Sequence, residues 1–145
     1  MSEKYESILH MNHVVFDELS FERHGFKNEK KTTDFEMKVG VDKLRDGNYR
    51  VVVDTLATRP DEYEAHVRIS GYFSIDESFK NKDILLKQNA VAILFPFIRS
   101  ELTLLTTQPE TQPNILPIMN IAAMMDGSQE LKTDEINEHP AKEIQ

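Results

Sequence analysis

Four segments in the first half of the chain alternate apolar and polar residues with a period of two. This period is typical of a β-strand that buries one face. Because one face is apolar and the other polar, the segments predict an antiparallel sheet with one face covered and one in water. The predicted buried positions are, in order, Val15, Leu19 and Phe21; Phe35, Met37, Val39 and Val41; Tyr49, Val51 and Val53; and Tyr63, Ala65, Val67, Ile69, Phe73 and Ile75. In the third segment, Val52 and Leu56 interrupt the polar face.

Turn residues separate these segments. Asp46, Gly47 and Asn48 lie between the second and third strands, where a tight hairpin requires a positive φ. Residues 59–61, Arg-Pro-Asp, connect the third and fourth strands. We expect the acid pairs at 61–62 and 76–77 to be solvated, and the in-strand glycines at 40 and 71 to mark bulges or bends.

The second half of the chain predicts helices. Residues 90–98 carry no charge, and helical character begins near Ile84. Pro96 lies inside this apolar run, where it removes a helix hydrogen bond. A proline-punctuated loop follows Thr106, and a short helix is predicted at about 118–125. Four strands followed by two helices predict an α+β domain, with a four-stranded antiparallel sheet and a long and a short helix packed on its apolar face.

The long helix is apolar around most of its circumference, and such a helix must be covered on all sides. A second subunit is the simplest cover in a chain of 145 residues, so the sequence predicts a homo-oligomer, either a dimer or a dimer of dimers.

Composition divides the chain into three parts: a flexible N-terminus at 1–11, a folded domain at 12–125, and an acidic tail at 126–145. The tail has two lysines against six acids and few apolar residues, which predicts disorder. The net charge of −8 disfavours binding to nucleic acid and to anionic membranes. The N-terminal residues lack the apolar core of a signal peptide, and residues 90–98 are too few to span a membrane. We therefore expect a soluble cytoplasmic protein with no direct membrane insertion.

The sequence offers little catalytic chemistry. It has no cysteine, no glycine-rich phosphate loop and no nucleophile elbow. His10 and His13 would point to opposite faces of a regular strand, and His66 lies on a polar strand face between Glu64 and Arg68. The prediction is that the protein has no catalytic residue, no metal site and no cofactor, and is not an enzyme.

Four patches of the sequence resemble the SecB protein-export chaperones. ELSFE at 18–22 resembles the family's first strand, and GYFSI at 71–75 resembles the end of its fourth strand. ILFPFIRSE at 93–101 resembles its Leu-Phe-Pro-Tyr-Ala-Arg-Glu motif with one residue inserted, and NILPI at 114–118 resembles its Asn-Leu-Ala-Pro-Val. The order and spacing of the patches indicate a diverged SecB-like protein over residues 12–125.

The resemblance implies a fold, a function and a set of site residues. SecB subunits carry the α+β fold described above, assemble as dimers of dimers, and hold unfolded precursor polypeptides without ATP. Their apolar grooves are bordered by the short helix and the loop before it. The matching residues here are Phe35, Val39 and Val41 on the second strand, and Ile115, Leu116, Ile118, Met119 and Met125 in the second half.

The family also passes clients to the SecA motor through acidic residues on the exposed sheet face. Glu18 and Glu22 match that pattern on the first strand, whereas His66 stands where the family has an acid. The leading hypothesis is therefore a holdase chaperone, with SecA docking as a further implication. The first alternative is a dedicated single-partner or antitoxin-escort module on the same fold. The least favoured is an acyl-thioester-type enzyme, which requires an acid or histidine facing the helix–sheet cleft.

Overall fold

The computed structural model describes residues 9–27, 32–78, 80–114, 116 and 129–138 of the chain. Within these residues, the sheet has five strands: β1 (Leu9–Arg23), β2 (Asp34–Arg45), β3 (Asn48–Arg59), β4 (Tyr63–Ile75) and β5 (Gln129–Glu130). Their order is β1-β4-β3-β2-β5, and the first four are antiparallel to their neighbours. The four predicted strands and their antiparallel arrangement are confirmed. The two-residue β5 adds in parallel to the edge of β2.

One long helix, α1 (Lys82–Thr106), covers the sheet. It begins two residues before the predicted start and has a π-helical stretch at Leu85–Ala90, followed by regular α-helix at Val91–Thr106 that continues through Pro96. A second helix within the described residues, α2 (Thr133–Ile136), follows β5. The short helix predicted at 118–125 lies outside the described residues.

The hydrophobic core lies between α1 and one face of the sheet, here called the core face; the opposite face is the outer face. Val91, Leu94, Ile98 and Leu102 from α1 are fully buried. They pack in one cluster with the core-face residues of β2, β3 and β4, which are Met37, Val39, Tyr49, Val51, Val53, Ala57, Tyr63, Ala65, Val67, Ile69, Phe73 and Ile75. The predicted apolar stripes of strands two to four therefore form the core.

By length and composition, α1 could cross a membrane, but the core helix of a soluble protein passes the same test. Its inward residues are buried against the sheet.

Two bulges in β1 change the predicted faces of that strand. The register with β4 shifts between Met11 and His13 and again between Phe16 and Glu18. A bulge inserts one residue and therefore exchanges the faces of the residues before and after it. Val15 consequently pairs with Ser70 on the outer face, while Phe16 packs against the core. The prediction for Val15 is wrong for this reason.

The same mechanism places His10 and His13 on one face, because they pair with Ser74 and Tyr72 respectively. The prediction that these two histidines point to opposite faces of the strand is therefore also wrong.

The turn at 46–48 has the predicted positive φ, but one of the turn acids that were expected to be solvated is buried. Gly47 has a φ of +77° and Asp61 a φ of +65°. Glu62, however, is fully buried rather than solvated, and its Oε2 lies 2.6 Å from Arg59 Nε. The acid is buried because it also accepts the backbone N–H of Gln112 at 2.7 Å from the loop after α1.

Part of the predicted disordered tail is folded. Residues 129–138 pair with β2 and bury Leu131 and Ile136 against Val52 on the outer face of the sheet. The prediction of disorder is wrong for these residues, because two apolar side chains and an open strand edge are sufficient to hold them. Val52, which interrupted the polar face of the third strand, was the signal for this contact. At the other end, β1 begins at Leu9, inside the predicted flexible N-terminus.

Candidate polypeptide-binding site

The described residues of the predicted groove lie on the core side of the molecule. Val39 and Leu116 are buried, with 3% and 6% of their surface exposed, and belong to the main core. Phe35 and Val41 are half-buried and pack against that core from β2. The remaining predicted groove residues, Ile115, Ile118, Met119 and Met125, lie outside the described residues. The structure thus places Phe35, Val39 and Val41 in one row on β2.

The loop after α1 is fixed by side chains from the sheet. Arg23 at the end of β1 donates to the carbonyl oxygens of Pro109 at 3.1 Å and Glu110 at 3.2 Å. The Tyr63 hydroxyl donates to Gln112 O at 2.9 Å, and the Thr106 hydroxyl oxygen accepts the Asn114 N–H at 2.8 Å. These bonds satisfy the loop backbone where α1 ends. They hold the loop in which Leu116 reaches the core.

A cavity of about 950 Å³ lies between the edge of β2, the beginning of α1 and the C-terminal segment. Val41, Tyr49, Leu131 and Ile136 contribute apolar side chains to it, and lysines line the rest of the wall together with Asp83 and Glu130. The lysines are Lys43, Lys82, Lys87 and Lys132. Of these apolar residues, only Val41 was assigned to the groove from the sequence. The position of Tyr49 depends on the turn at 46–48, and those of Leu131 and Ile136 depend on the folding of residues 129–138.

The outer face carries the two predicted docking acids. Glu18 and Glu22 lie on the outer face of β1, opposite Arg68 and Glu64 of β4 respectively. A neighbouring cleft of about 310 Å³ includes Ser20, Leu56 and His66. A role for Glu18 and Glu22 in motor docking stays a prediction.

His66 is held between two carboxylates on this face. Its Nε2 lies 2.7 Å from Asp54 Oδ1, and its Nδ1 lies 3.1 Å from Glu18 Oε1. The hydrogen bond with Asp54 raises the pKa of His66, burial opposes this, and Glu18 adds to the increase. For Asp54, burial favours a higher pKa, but the hydrogen bonds with His66 and Arg68 outweigh it and lower the pKa. Both groups therefore favour their charged forms.

Ser20, His66 and Asp54 lie on adjacent strands but do not form a nucleophilic triad. A triad histidine must keep one ring nitrogen free to accept the serine proton. Here both ring nitrogens lie within hydrogen-bond distance of carboxylates. The arrangement is that of a partly exposed ion cluster rather than an activated nucleophile.

The His66 cluster predicts a pH-dependent stability. Since the pKa of His66 is raised on folding, its stabilising contribution is fully present below the unfolded-state value of 6.5 and is lost as pH rises through the folded-state pKa. We therefore expect the difference in free energy of unfolding between wild type and His66→Asn to become smaller as the pH rises. Urea titrations from about pH 5 to about pH 9 would measure it. A difference that stays constant or grows with pH would contradict the assignment.

One group of described residues has the composition of a metal site. Glu22, His24 and Glu64 each place a ligand atom within 4.8 Å of the others, at the end of β1. An imidazole and two carboxylates suit a divalent transition metal. Glu22 and His24 are exposed and Glu64 is half-buried, so these residues could hold an ion only with water as further ligands.

The outward side of α1 carries apolar residues. Ile93 and Phe97 are each 38% exposed and Leu104 is 66% exposed. Residues four apart share a helix face, so Ile93 and Phe97 form one patch. Phe97 and Pro96 also line a shallow depression with Phe16 of β1. The predicted all-round apolarity of the helix therefore appears as a face that none of the other described residues covers.

Comparisons with known proteins identify the fold. The structure matches the SecB-like chaperone of Mycobacterium tuberculosis, solved in complex with a ChAD peptide from the HigA1 antitoxin. The TM-score is 0.69 at 14% sequence identity, and the match covers 81% of this chain and 95% of that chain. A protein of unknown function from Streptococcus agalactiae matches with a TM-score of 0.52, 14% identity, and coverage of 77% and 97%.

No family model matches the sequence. A curated relative, an uncharacterised protein of Methanocaldococcus jannaschii, is 35% identical over 69 residues. The matched region is 47% of this chain and 44% of the relative, so the chain spans less than half of the relative's length.

The fold is that of the SecB-like chaperones, an antiparallel sheet with a long helix on its core face. The SecB-like fold that the four sequence patches imply is thus confirmed by the structure.

Proposed function

We propose that this protein is an ATP-independent holdase chaperone that binds unfolded polypeptide segments in apolar grooves. The observation that carries the proposal is the SecB-like fold, whose structural neighbour holds a peptide of an antitoxin. The row of Phe35, Val39 and Val41 on β2 belongs to or packs against the same core cluster as Leu116, and this common location supports a groove formed by these residues.

Binding would rest on many weak apolar contacts. Burial of apolar surface contributes about 25 cal/mol per Å², without a preference for a particular sequence. Several subunits acting on one client would add avidity. Because a folded client hides its apolar segments, it would be released when it folds. Export of precursors through the SecA motor is the further role that the resemblance suggests.

The test is a titration of the full-length protein with a reductively unfolded polypeptide and, in parallel, with its native form. Submicromolar binding of the unfolded form alone is the expected result, on the order of −8 kcal/mol or stronger. Equal affinity for the native form, or no binding of either, would refute the holdase proposal.

A dedicated escort function for one partner is the second candidate, because the structural neighbour was solved with a segment of a specific antitoxin. Such a protein would bind one peptide tightly and ignore generic unfolded chains, so the same titration separates the two.

The placement of the titratable groups argues against the enzyme alternative. Within the described part of the chain, the carboxyl and imidazole groups with shifted pKa values lie on the outer face or just before α1, and the space between α1 and the sheet is filled by apolar side chains.

We also propose that the uncovered face of α1 is the subunit interface. Changing both Ile93 and Phe97 to lysine is expected to weaken self-association by about 100-fold, since burial of a large apolar side chain contributes roughly 1.5–3 kcal/mol. Sedimentation equilibrium would measure the change. The control is Leu44→Lys, which changes an apolar residue that is 41% exposed at the end of β2 and is not part of α1. Unchanged association of the double variant would place the interface elsewhere.

A further inference from the structure

Residues 129–138, here called the C-terminal strap, are bound to the sheet like a peptide ligand. Gln129 and Glu130 pair in parallel with Lys38 and Val39 of β2, and the Leu131 N–H donates to Val39 O at 2.9 Å. Addition of a short extended segment to a sheet edge is a recurring mode of peptide recognition.

The surface under the strap is shaped for this contact. A Cβ atom on Gly40 would lie 2.8 Å from Ile136 Cδ1 and 3.0 Å from Leu131 Cβ, so only glycine allows the strap to approach this closely. Next to Gly40 on β3, Val52 is fully buried beneath Leu131 and Ile136. We call this surface the Gly40–Val52 depression. The close approach of the strap explains why a glycine lies at position 40, in a part of β2 that has no bulge.

Two buried arginines supply polar recognition beside the depression. Arg68 Nη2 donates to Glu135 O at 2.7 Å and to Ile136 O at 3.2 Å, and Arg50 Nη1 donates to Ile136 O at 3.5 Å. These contacts are made to main-chain carbonyl oxygens, so they require a backbone and not a particular side chain. The depression can therefore accept segments of different sequence.

The strap itself is held by few contacts. It has two strand pairs, the hydrogen bonds from Arg68 and Arg50, two buried apolar side chains, and the ion pairs Lys38–Glu135 and Lys87–Glu130 at 4.0 and 3.5 Å. These ion pairs are partly exposed, and such pairs contribute little to stability. Because the strap lies at the sheet edge and buries only two apolar side chains, it can open locally at a free energy below that of global unfolding. Opening would leave the edge of β2 with unpaired backbone groups and would uncover Val52.

We propose that the edge of β2 together with the Gly40–Val52 depression is a strand-acceptor site for an extended segment of an unfolded polypeptide. The C-terminal strap occupies this site in cis and is displaced by the client. The site adjoins the predicted groove at the edge of β2, where Val39 is the ladder partner of the strap and Val41 lines a cavity together with Leu131 and Ile136 of the strap. This inference rests on the proposed client binding, and it adds the place on the sheet where part of the client would bind.

Three full-length proteins test it: wild type, a strap-released variant with Leu131→Ser and Ile136→Ser, and a blocked variant with Gly40→Val. In the blocked variant the added side chain excludes both the strap and any segment that takes its place. The first probe is a labelled synthetic peptide of residues 128–139. We expect it to bind the strap-released variant at least about 10-fold more tightly than wild type, because the wild-type site is filled. It should not bind the blocked variant measurably.

The second probe is the reductively unfolded polypeptide. Its affinity should rise about 10-fold in the strap-released variant if the strap is closed in about nine of ten wild-type molecules. It should also displace the labelled peptide, while the blocked variant shows no gain. Hydrogen exchange of the sheet amides confirms that each variant is folded, and faster exchange of the residue 131 amide confirms release of the strap in both variants.

The outcomes separate this inference from the proposed function. Equal binding of the unfolded polypeptide to all three proteins would overturn the acceptor site and leave the holdase function standing. The acceptor site would also be overturned if the affinity for unfolded polypeptide rose equally in the blocked and the strap-released variants. Loss of the strap alone would then explain the increase, without binding of the client in the depression. If the labelled peptide binds as expected but no variant binds unfolded polypeptide, the proposed function fails, and the client assignment of the site fails with it.

Discussion

Replacing Asp17 with alanine is expected to lower the free energy of unfolding by about 3 kcal/mol. Asp17 Oδ2 lies 3.3 Å from Arg50 Nη2, and both side chains are completely buried. The Ser70 hydroxyl donates to the same carboxylate oxygen, and Arg50 Nε donates to Ser70 Oγ at 3.0 Å. Removing the acid would leave a buried guanidinium with only neutral partners, and breaking such a pair typically costs about 3–5 kcal/mol. Urea denaturation of wild type and variant would measure the loss.

Two further variants make the Asp17 prediction specific. Asp34→Ala removes an exposed acid at the start of β2 and should change stability by less than about 0.5 kcal/mol. The double variant Asp17→Leu with Arg50→Met replaces the pair by apolar side chains and should recover most of the lost stability. If Asp17→Ala is as mild as the exposed control, the Asp17–Arg50 pair does not stabilise the fold.

Replacing both Ile118 and Met119 with aspartate is expected to weaken binding of an unfolded polypeptide by about 100-fold. Both residues belong to the groove implied by the SecB resemblance, and each large apolar side chain contributes roughly 1.5–3 kcal/mol when buried. The fold should be retained, because the core of the described residues is complete without them. Fluorescence titration with the unfolded polypeptide would measure the affinity, and circular dichroism would report on the fold.

The matched control for the groove is Phe26→Asp. Phe26 is a large apolar residue that is 78% exposed after β1, outside the predicted groove. We expect it to leave client affinity unchanged, which would show that the loss in the double variant is not a general effect of added charge. Client binding by the double variant at wild-type strength would mean that the groove lies elsewhere.

The part of the candidate site that could be predicted is the part governed by periodicity. Phe35, Val39 and Val41 follow a period of two without interruption, and β2 pairs with β3 in register along this row. Their common face therefore follows from the geometry of any strand. The depression at Gly40 could not be predicted in this way, since a glycine within a strand is equally compatible with a bulge.

Electrostatic contacts were predicted less well than apolar ones. The sequence places Glu62 in a turn, where an acid is ordinarily solvated, and the structure buries it because a loop some 50 residues later meets it. The polar strand face that carries His66 favours a solvated or salt-bridged side chain, and His66 is ion-paired. The sequence did not identify its partners, which come from β1 and β3 because side chains on adjacent strands face each other across the ladder.

The sequence by itself determined the four strands, their antiparallel order, the long apolar helix and the SecB resemblance, because local periodicity and turn residues specify these features. Only the tertiary structure decided the two bulges in β1, the burial of Glu62 and the docking of residues 129–138 on the outer face. Each of these depends on contacts between residues far apart in the chain, here 50 residues for Glu62 and Gln112 and 68 for Arg68 and Ile136. Such contacts form only when the sheet has brought the strands together, and the local pattern does not identify the partner, as Val52 on the polar face of β3 illustrates.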